Sequence, residues 1–191
     1  MKRIVIFASG SGTNAENIIE FFHNRDNASV IQVLTNNPRA KVIDRCKRLN
    51  VSCLCFNRVA FYQSNDVFDL LNVKSPDLIV LAGFLWKLPE NILNAFPNKI
   101  INIHPALLPK FGGKGMYGMH VHEAVIAQQE SETGITIHYV NENYDEGKII
   151  FQAKTSIKTG DTAADIADKI HDLEMAHFPQ VIDKLLFPEN G

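Results

Sequence analysis

The sequence predicts an α/β protein with a mostly parallel central sheet flanked by helices. Through the first half, short apolar runs alternate with helix-length amphipathic stretches, the rhythm of strands joined by crossover helices. A Gly/Ser/Thr turn separates the first apolar run from the first helix. The final third instead pairs two strand-like segments around a polar loop and closes with a long helix, so an antiparallel strand addition and a C-terminal helix complete the expected architecture.

Arg3 to Ala8 reads as the first strand, and Ser9 to Asn14 as the turn. Ala15 to Phe22 follows as a helix with Ile18, Ile19 and Phe22 inward, then Ser29 to Thr35 as the second strand of a βαβ unit. Lys41 to Leu49 suits a second helix, Ser52 to Phe56 a short strand and Val67 to Val73 a third helix. Pro76 introduces Asp77 to Ala82, whose continuous apolar character marks a central strand. Ile100 to His104 is the next strand, limited by Pro97 and Pro105 because proline is excluded from sheet interiors. Gly134 to Val140 and Lys148 to Ala153 form the antiparallel pair around Asn141 to Gly147. Thr162 and Asp165 have capping-box spacing, Ile166, Ile170 and Leu173 recur at helical intervals, and Pro179 is expected to kink or restart this last helix.

The 191 residues are within reach of one hydrophobic core, so one domain is expected over 1–191. With 46% apolar and 21% charged residues no stretch has the composition of disorder. A formal net charge of −2 argues against nucleic-acid binding, which needs Lys and Arg massed on one face. Ile4 to Ala8 is too short for a signal-peptide core, and no run approaches the ~18 apolar residues of a membrane span, so a cytoplasmic protein without membrane partners is expected. Cys46, Cys53 and Cys55 are an odd number in one segment, which predicts reduced, buried thiols. Their neighbours Leu54 and Phe56 suit a strand rather than a metal site.

Gly10-Ser11-Gly12-Thr13-Asn14-Ala15 follows a strand and opens a helix, where free backbone N–H groups and the helix dipole favour a phosphate. The spacing also satisfies a dinucleotide fingerprint, but the second strand ends Leu34-Thr35-Asn36-Asn37 and lacks the acid that binds a ribose hydroxyl. A phosphate monoester therefore fits better than a nicotinamide cofactor, with Asn36 and Asn37 as turn residues.

In Asn102-Ile103-His104-Pro105, strand alternation sends Asn102 and His104 to the same side. An amide donor and an imidazole at the carboxyl end of a strand suit a developing oxyanion, and a carboxylate would hold the imidazole charged. Asp145 is the candidate, with Glu142 and Glu146 as rivals in the same loop; the bland alternatives are a core histidine and a solvated turn carboxylate. His120-Val121-His122 makes a poor metal pair, since residues two apart on a helix do not share a face, and no metal is expected.

Taken in order, Gly10-Ser11-Gly12-Thr13-Asn14, Leu81-Ala82-Gly83-Phe84, Asn102-Ile103-His104-Pro105 with Leu107-Leu108-Pro109-Lys110, and Asp145-Glu146-Gly147 resemble the phosphoribosylglycinamide formyltransferase family across nearly the whole chain. The resemblance implies a Rossmann-like formyltransferase fold, with 1–100 as the phosphate-binding half and 101–191 as the catalytic and folate-binding half. It implies 10-formyltetrahydrofolate as co-substrate and glycinamide ribonucleotide as acceptor, in de novo purine synthesis. It makes Asn102, His104 and Asp145 the catalytic trio. Gly12, Thr13 and Asn14 become the phosphate loop and Glu174 an acceptor-binding carboxylate. Phe84, Leu85, Trp86, Lys87 and Leu88, with Asn102, Val140 and Asn141, become the folate contacts.

Trp86 and Lys87 depart from the commoner Arg followed by an aliphatic residue, Gly113 to Met119 is lengthened, and Arg58 is a poor counterpart of a family arginine. His138, on a strand near the expected site, fits either the core or the site. A formyltransferase acting on aminoacyl-tRNA carries an added C-terminal domain and a folate deformylase an N-terminal one, and neither is expected here. A non-catalytic nucleotide-phosphate binder is the remaining alternative. A monomer or weak homodimer is expected.

Overall fold

The computed structural model describes residues 1–188. Strand β1 (Lys2–Phe7) leads into helix α1 (Thr13–His23), then β2 (Ala28–Thr35), α2 (Val42–Arg48), β3 (Cys53–Cys55), α3 (Arg58–Tyr62), α4 (Asp66–Lys74), β4 (Leu78–Leu81) and α5 (Glu90–Ala95). After β5 (Ile100–His104) come α6 (Met119–Ala127), β6 (Glu132–Tyr139), β7 (Ile149–Ser156) and α7 (Ala163–Leu186). The strands form one seven-stranded sheet in the order β3-β2-β1-β4-β5-β6-β7.

Two compact units divide the described residues: 1–101 with 183–188, and 102–182. In the first, β1 pairs parallel with both β2 and β4, and β2 pairs parallel with β3. Ile4 to Phe7 and Leu78 to Leu81 are buried because both faces of these strands are covered, which explains their unbroken apolar runs. Helix α1 turns Ala15, Ile18, Ile19 and Phe22 inward, the predicted face. The second unit is built on the antiparallel pair β6 and β7, in register from Glu132↔Ser156 to Ile137↔Phe151. Gly134 and Gly147 allow close backbone approach there: a Cβ would fall 1.9 Å from the Ala153 carbonyl oxygen and 1.6 Å from that of Tyr139.

The capping box of α7 forms as expected, with Thr162 N–H donating to Asp165 (2.8 Å) and Asp165 N–H donating to the Thr162 hydroxyl (3.2 Å). Pro179, however, does not restart the helix, which runs unbroken through it. The missing hydrogen bond is a local cost, and the buried Phe178, Val181 and Ile182 hold the turns on either side of it. Three short helices escaped the sequence reading. One is α3, whose cap Asn57 accepts from Ala60 N–H at 2.9 Å; α5, too brief for a clear period, and α6, with little contrast between its faces, are the others. Only Cys46 of the cysteines is buried; Cys55 is exposed, because β3 is a three-residue edge strand.

Candidate active site

Strand β5 runs through Asn102 to His104, and the turn after it folds back on His104. The carbonyl of Phe111, a residue at φ 57°, accepts a 2.7 Å hydrogen bond from His104 Nε2. A carbonyl can only accept, so Nε2 carries the proton and Nδ1 is the open nitrogen of the neutral ring. Nδ1 lies 3.5 Å from Asp145 Oδ2. Asp145, in the loop after β6, also sits in the left-handed region, at φ 59°, a state that aspartate adopts more readily than most non-glycine residues. Its Oδ2 accepts the Gly113 N–H at 2.9 Å. Gly112 lets that turn close, since a Cβ there would meet Leu108 Cδ2 at 2.5 Å and Asp145 Cβ at 3.2 Å.

His138 of β6 links the remaining residue. Its Nδ1 donates to the Tyr139 carbonyl at 2.9 Å, so in the neutral ring Nε2 accepts from Asn102 Nδ2 at 3.2 Å. The same Nε2 is 3.6 Å from Asp145 Oδ1, too long for a hydrogen bond but close enough for electrostatic contact. Asn102 keeps a second N–H for another acceptor. Thr136, two residues earlier on β6, donates to the Ala106 carbonyl (2.7 Å) and accepts from Leu108 N–H (3.0 Å), fixing the backbone that leaves β5. A register shift in β6 falls between Ile137 and His138, a common device for re-aiming a side chain beside a site.

The electrostatics follow from burial. His104 is 3% exposed, and loss of water pulls its pKa below the ordinary 6.5 even though Asp145 and the Phe111 carbonyl pull upward. Burial thus favours the neutral ring and opposes the pull of Asp145 toward the imidazolium. Burial acts to raise the Asp145 pKa, but His138, His104 and the Gly113 N–H outweigh it, and the group stays below its ordinary 3.8. Glu142 and Glu146 are exposed, with Glu146 accepting from Asn143, so neither rival carboxylate reaches this cluster.

The glycine loop belongs to the other unit. Gly12 caps α1 at φ 75°, and a Cβ on it would lie 2.5 Å from Val42 Cβ, so both backbone and space demand glycine. Val42 N–H donates to the Gly10 carbonyl (3.3 Å), and Arg45 Nε to that of Ser11 (2.8 Å). Arg45 and Arg48 both pair with Glu16 in the first turn of α1, offsetting a carboxylate that would otherwise repel an anion there. Asn37 is the turn residue predicted, its amide donating to the Ser9 carbonyl at 3.3 Å.

In the segment expected to contact folate, Leu88 is buried and Leu85 is 55% exposed. Leu85 N–H donates to Ser9 Oγ (3.0 Å), and the Lys87 carbonyl accepts the Tyr62 hydroxyl (2.9 Å). Phe84 packs on Phe7 at 5.1 Å, while Trp86 stacks on Tyr62 at 6.0 Å with the Arg58 guanidinium 4.7 Å from its ring centre. Val140 and Asn141 are half-buried at the end of β6, and Glu174 is half-buried on α7. Sequence reasoning left His138 open between core and site and missed the Phe111 carbonyl. The polar alternation Thr136, His138 in an apolar strand was the available signal for the first. Backbone carbonyls leave none.

A polar cluster of amide, imidazoles and carboxylate beside a strand end, with a phosphate-type loop on a parallel sheet, is the equipment of a group-transfer enzyme. The chain belongs to the formyl transferase family, whose profile matches residues 2–182. It is 36% identical to the phosphoribosylglycinamide formyltransferase of Bacillus subtilis over 97% of this chain and 95% of that protein. It is 34% identical to the chloroplastic phosphoribosylglycinamide formyltransferase of Arabidopsis thaliana, but spans only 64% of that relative's length. Among solved structures, the phosphoribosylglycinamide formyltransferase from Bacillus halodurans matches with a TM-score of 0.87 at 38% identity, covering 99% of this chain and 98% of that one. That from Anaplasma phagocytophilum matches at 0.90 and 28%, covering 98% and 87%. Among the described residues no group of His, Cys, Asp and Glu is arranged to hold a metal, and no helix is long and apolar enough to cross a membrane.

Proposed function

We propose that this protein transfers the formyl group of 10-formyltetrahydrofolate to the amine of glycinamide ribonucleotide, a step of de novo purine synthesis in the cytoplasm. The observation that carries the proposal is the grouping of buried His104 and His138 with half-buried Asn102 and Asp145 in a member of the formyl transferase family. The acceptor amine attacks the formyl carbon, a C–N bond forms, and the carbonyl oxygen gains negative charge. The spare N–H of Asn102 donates to that oxygen. Neutral His104 takes the proton lost by the amine, and Asp145 at 3.5 Å stabilises the imidazolium that results. Collapse of the tetrahedral centre breaks the bond to folate N10, which receives the proton. No covalent enzyme intermediate is required.

In this reading Gly12, Thr13 and Asn14 hold the acceptor phosphate and Glu174 its polar groups, while residues 84–88 with Val140 and Asn141 contact the folate. The partners are small molecules, not nucleic acid, and the enzyme works as a monomer or weak homodimer. Incubating purified protein with both substrates and following the formylated product by mass tests the assignment. Release of formate without formylated acceptor points to a deformylase. Binding without any turnover points to a phosphate sensor. Either result overturns the proposal.

A further inference from the structure

The glycine loop is oriented by where its carbonyls go. The Gly10 carbonyl accepts the Val42 N–H (3.3 Å), the Ser11 carbonyl accepts Arg45 Nε (2.8 Å) and the Gly12 carbonyl accepts the Glu16 N–H (2.9 Å). Across a trans peptide the carbonyl of one residue and the N–H of the next point in opposite directions. Each of these bonds therefore turns the N–H of Ser11, Gly12 or Thr13 away from the group that holds the carbonyl. These donors lead into α1, whose first-turn N–H groups have no intrahelical partners and suit an anion. The bonds from Val42 and Glu16 are made by backbone, whereas the Ser11 carbonyl is held by a side chain. Its peptide is also free to turn over, because Gly12, at φ 75°, tolerates either sign of φ.

The same guanidinium reaches a carboxylate. Arg45 Nη1 pairs with Glu16 Oε2 in the first turn of α1, where an uncancelled negative charge would repel an incoming anion. The Glu16 side chain is only 15% exposed, so water does little of that cancelling. Arg48 pairs with the other carboxylate oxygen, but its side chain is 60% exposed and the pair is more strongly screened. A planar guanidinium joins carbonyl and carboxylate in fixed directions, which a lysine ammonium does not reproduce. We propose that Arg45 is a positioning residue for the acceptor's phosphate. Without touching the substrate, it fixes the Ser11–Gly12 peptide with its N–H presented to the anion and cancels the charge of Glu16. This rests on the phosphate reading of the loop and adds to it a residue 33 positions beyond Gly12 that sets its affinity.

The test uses the full-length enzyme with Arg45→Met, Arg45→Lys and the double variant R45M/E16Q. Binding of inorganic phosphate is measured by calorimetry. Steady-state kinetics are taken with glycinamide ribonucleotide and with the corresponding riboside, which lacks the phosphate. R45M is expected to weaken phosphate binding and to raise KM for the ribonucleotide by about tenfold each, with kcat nearly unchanged and kcat/KM for the riboside unmoved. R45K keeps a charge beside Glu16 and R45M/E16Q removes the need for one, so each is expected to recover part of the loss but not all of it. Where R45M fails to fold, R45K carries the same comparison at a smaller loss. A folded Arg45 variant that binds phosphate as the native enzyme does, an equal loss on ribonucleotide and riboside, or full recovery in R45M/E16Q overturns the proposal and leaves the phosphate reading standing. A native enzyme that binds no phosphate overturns that reading and the proposal with it.

Discussion

At the scale of single residues, the proposed chemistry turns on a histidine whose proton affinity burial lowers and a carboxylate that stabilises its charged form. Asp145→Asn removes the main influence holding the His104 pKa up. The acid limb of kcat/KM, which lies below pH 6.5 for the native enzyme, is therefore expected at still lower pH in this variant, with turnover down by about 100-fold or more and acceptor KM little altered. A limb displaced upward contradicts the assignment. The sign for stability follows from the same depression. Unfolded His104 binds a proton near 6.5 and folded His104 does not, so this contribution is complete above that pH and is lost as pH falls below it. Thermal melts of the native protein and His104→Gln between pH 5 and 7 check this: the variant should lose less stability on acidification.

At the scale of elements, the glycine loop is held by α2 as much as by its own sequence. Gly12→Ala forces a positive-φ alanine against Val42, with a cost of about 1–3 kcal/mol and a higher KM for the phosphorylated acceptor. Calorimetry and steady-state kinetics on the same preparation measure both effects. The α7 capping box is independent of the site, so Thr162→Ala should lower Tm by about 2–4 °C and leave kinetics untouched. Elements with a strong period, such as α1 and β4, were legible in the sequence, because their burial is periodic or continuous. Helices α3 and α5 were not, since five or six residues hold less than two turns of pattern, and α6 was not, because its apolar residues are not gathered on one face.

At the scale of the whole molecule, a ligand that binds only the native state stabilises it by mass action. Glycinamide ribonucleotide at about 100 times its Kd should add about 2.7 kcal/mol and raise Tm by several degrees. Scanning fluorimetry with and without it reads this directly, and an unmoved melt would count against the proposed acceptor. The alternation of apolar runs and amphipathic stretches determined the α/β class, and local patterns determined the turn at Gly12, the shared side of Asn102 and His104 and the cap at Thr162, because each depends on neighbours within a few residues. Only the tertiary structure showed that Asp145, the carboxylate the resemblance had singled out, lies 3.5 Å from His104, that His138 joins Asn102, that Phe111 offers its carbonyl, and that burial outweighs Asp145 in its effect on His104. Those outcomes depend on contacts 7 to 41 positions apart and on exclusion of water, quantities that no local pattern of residues encodes.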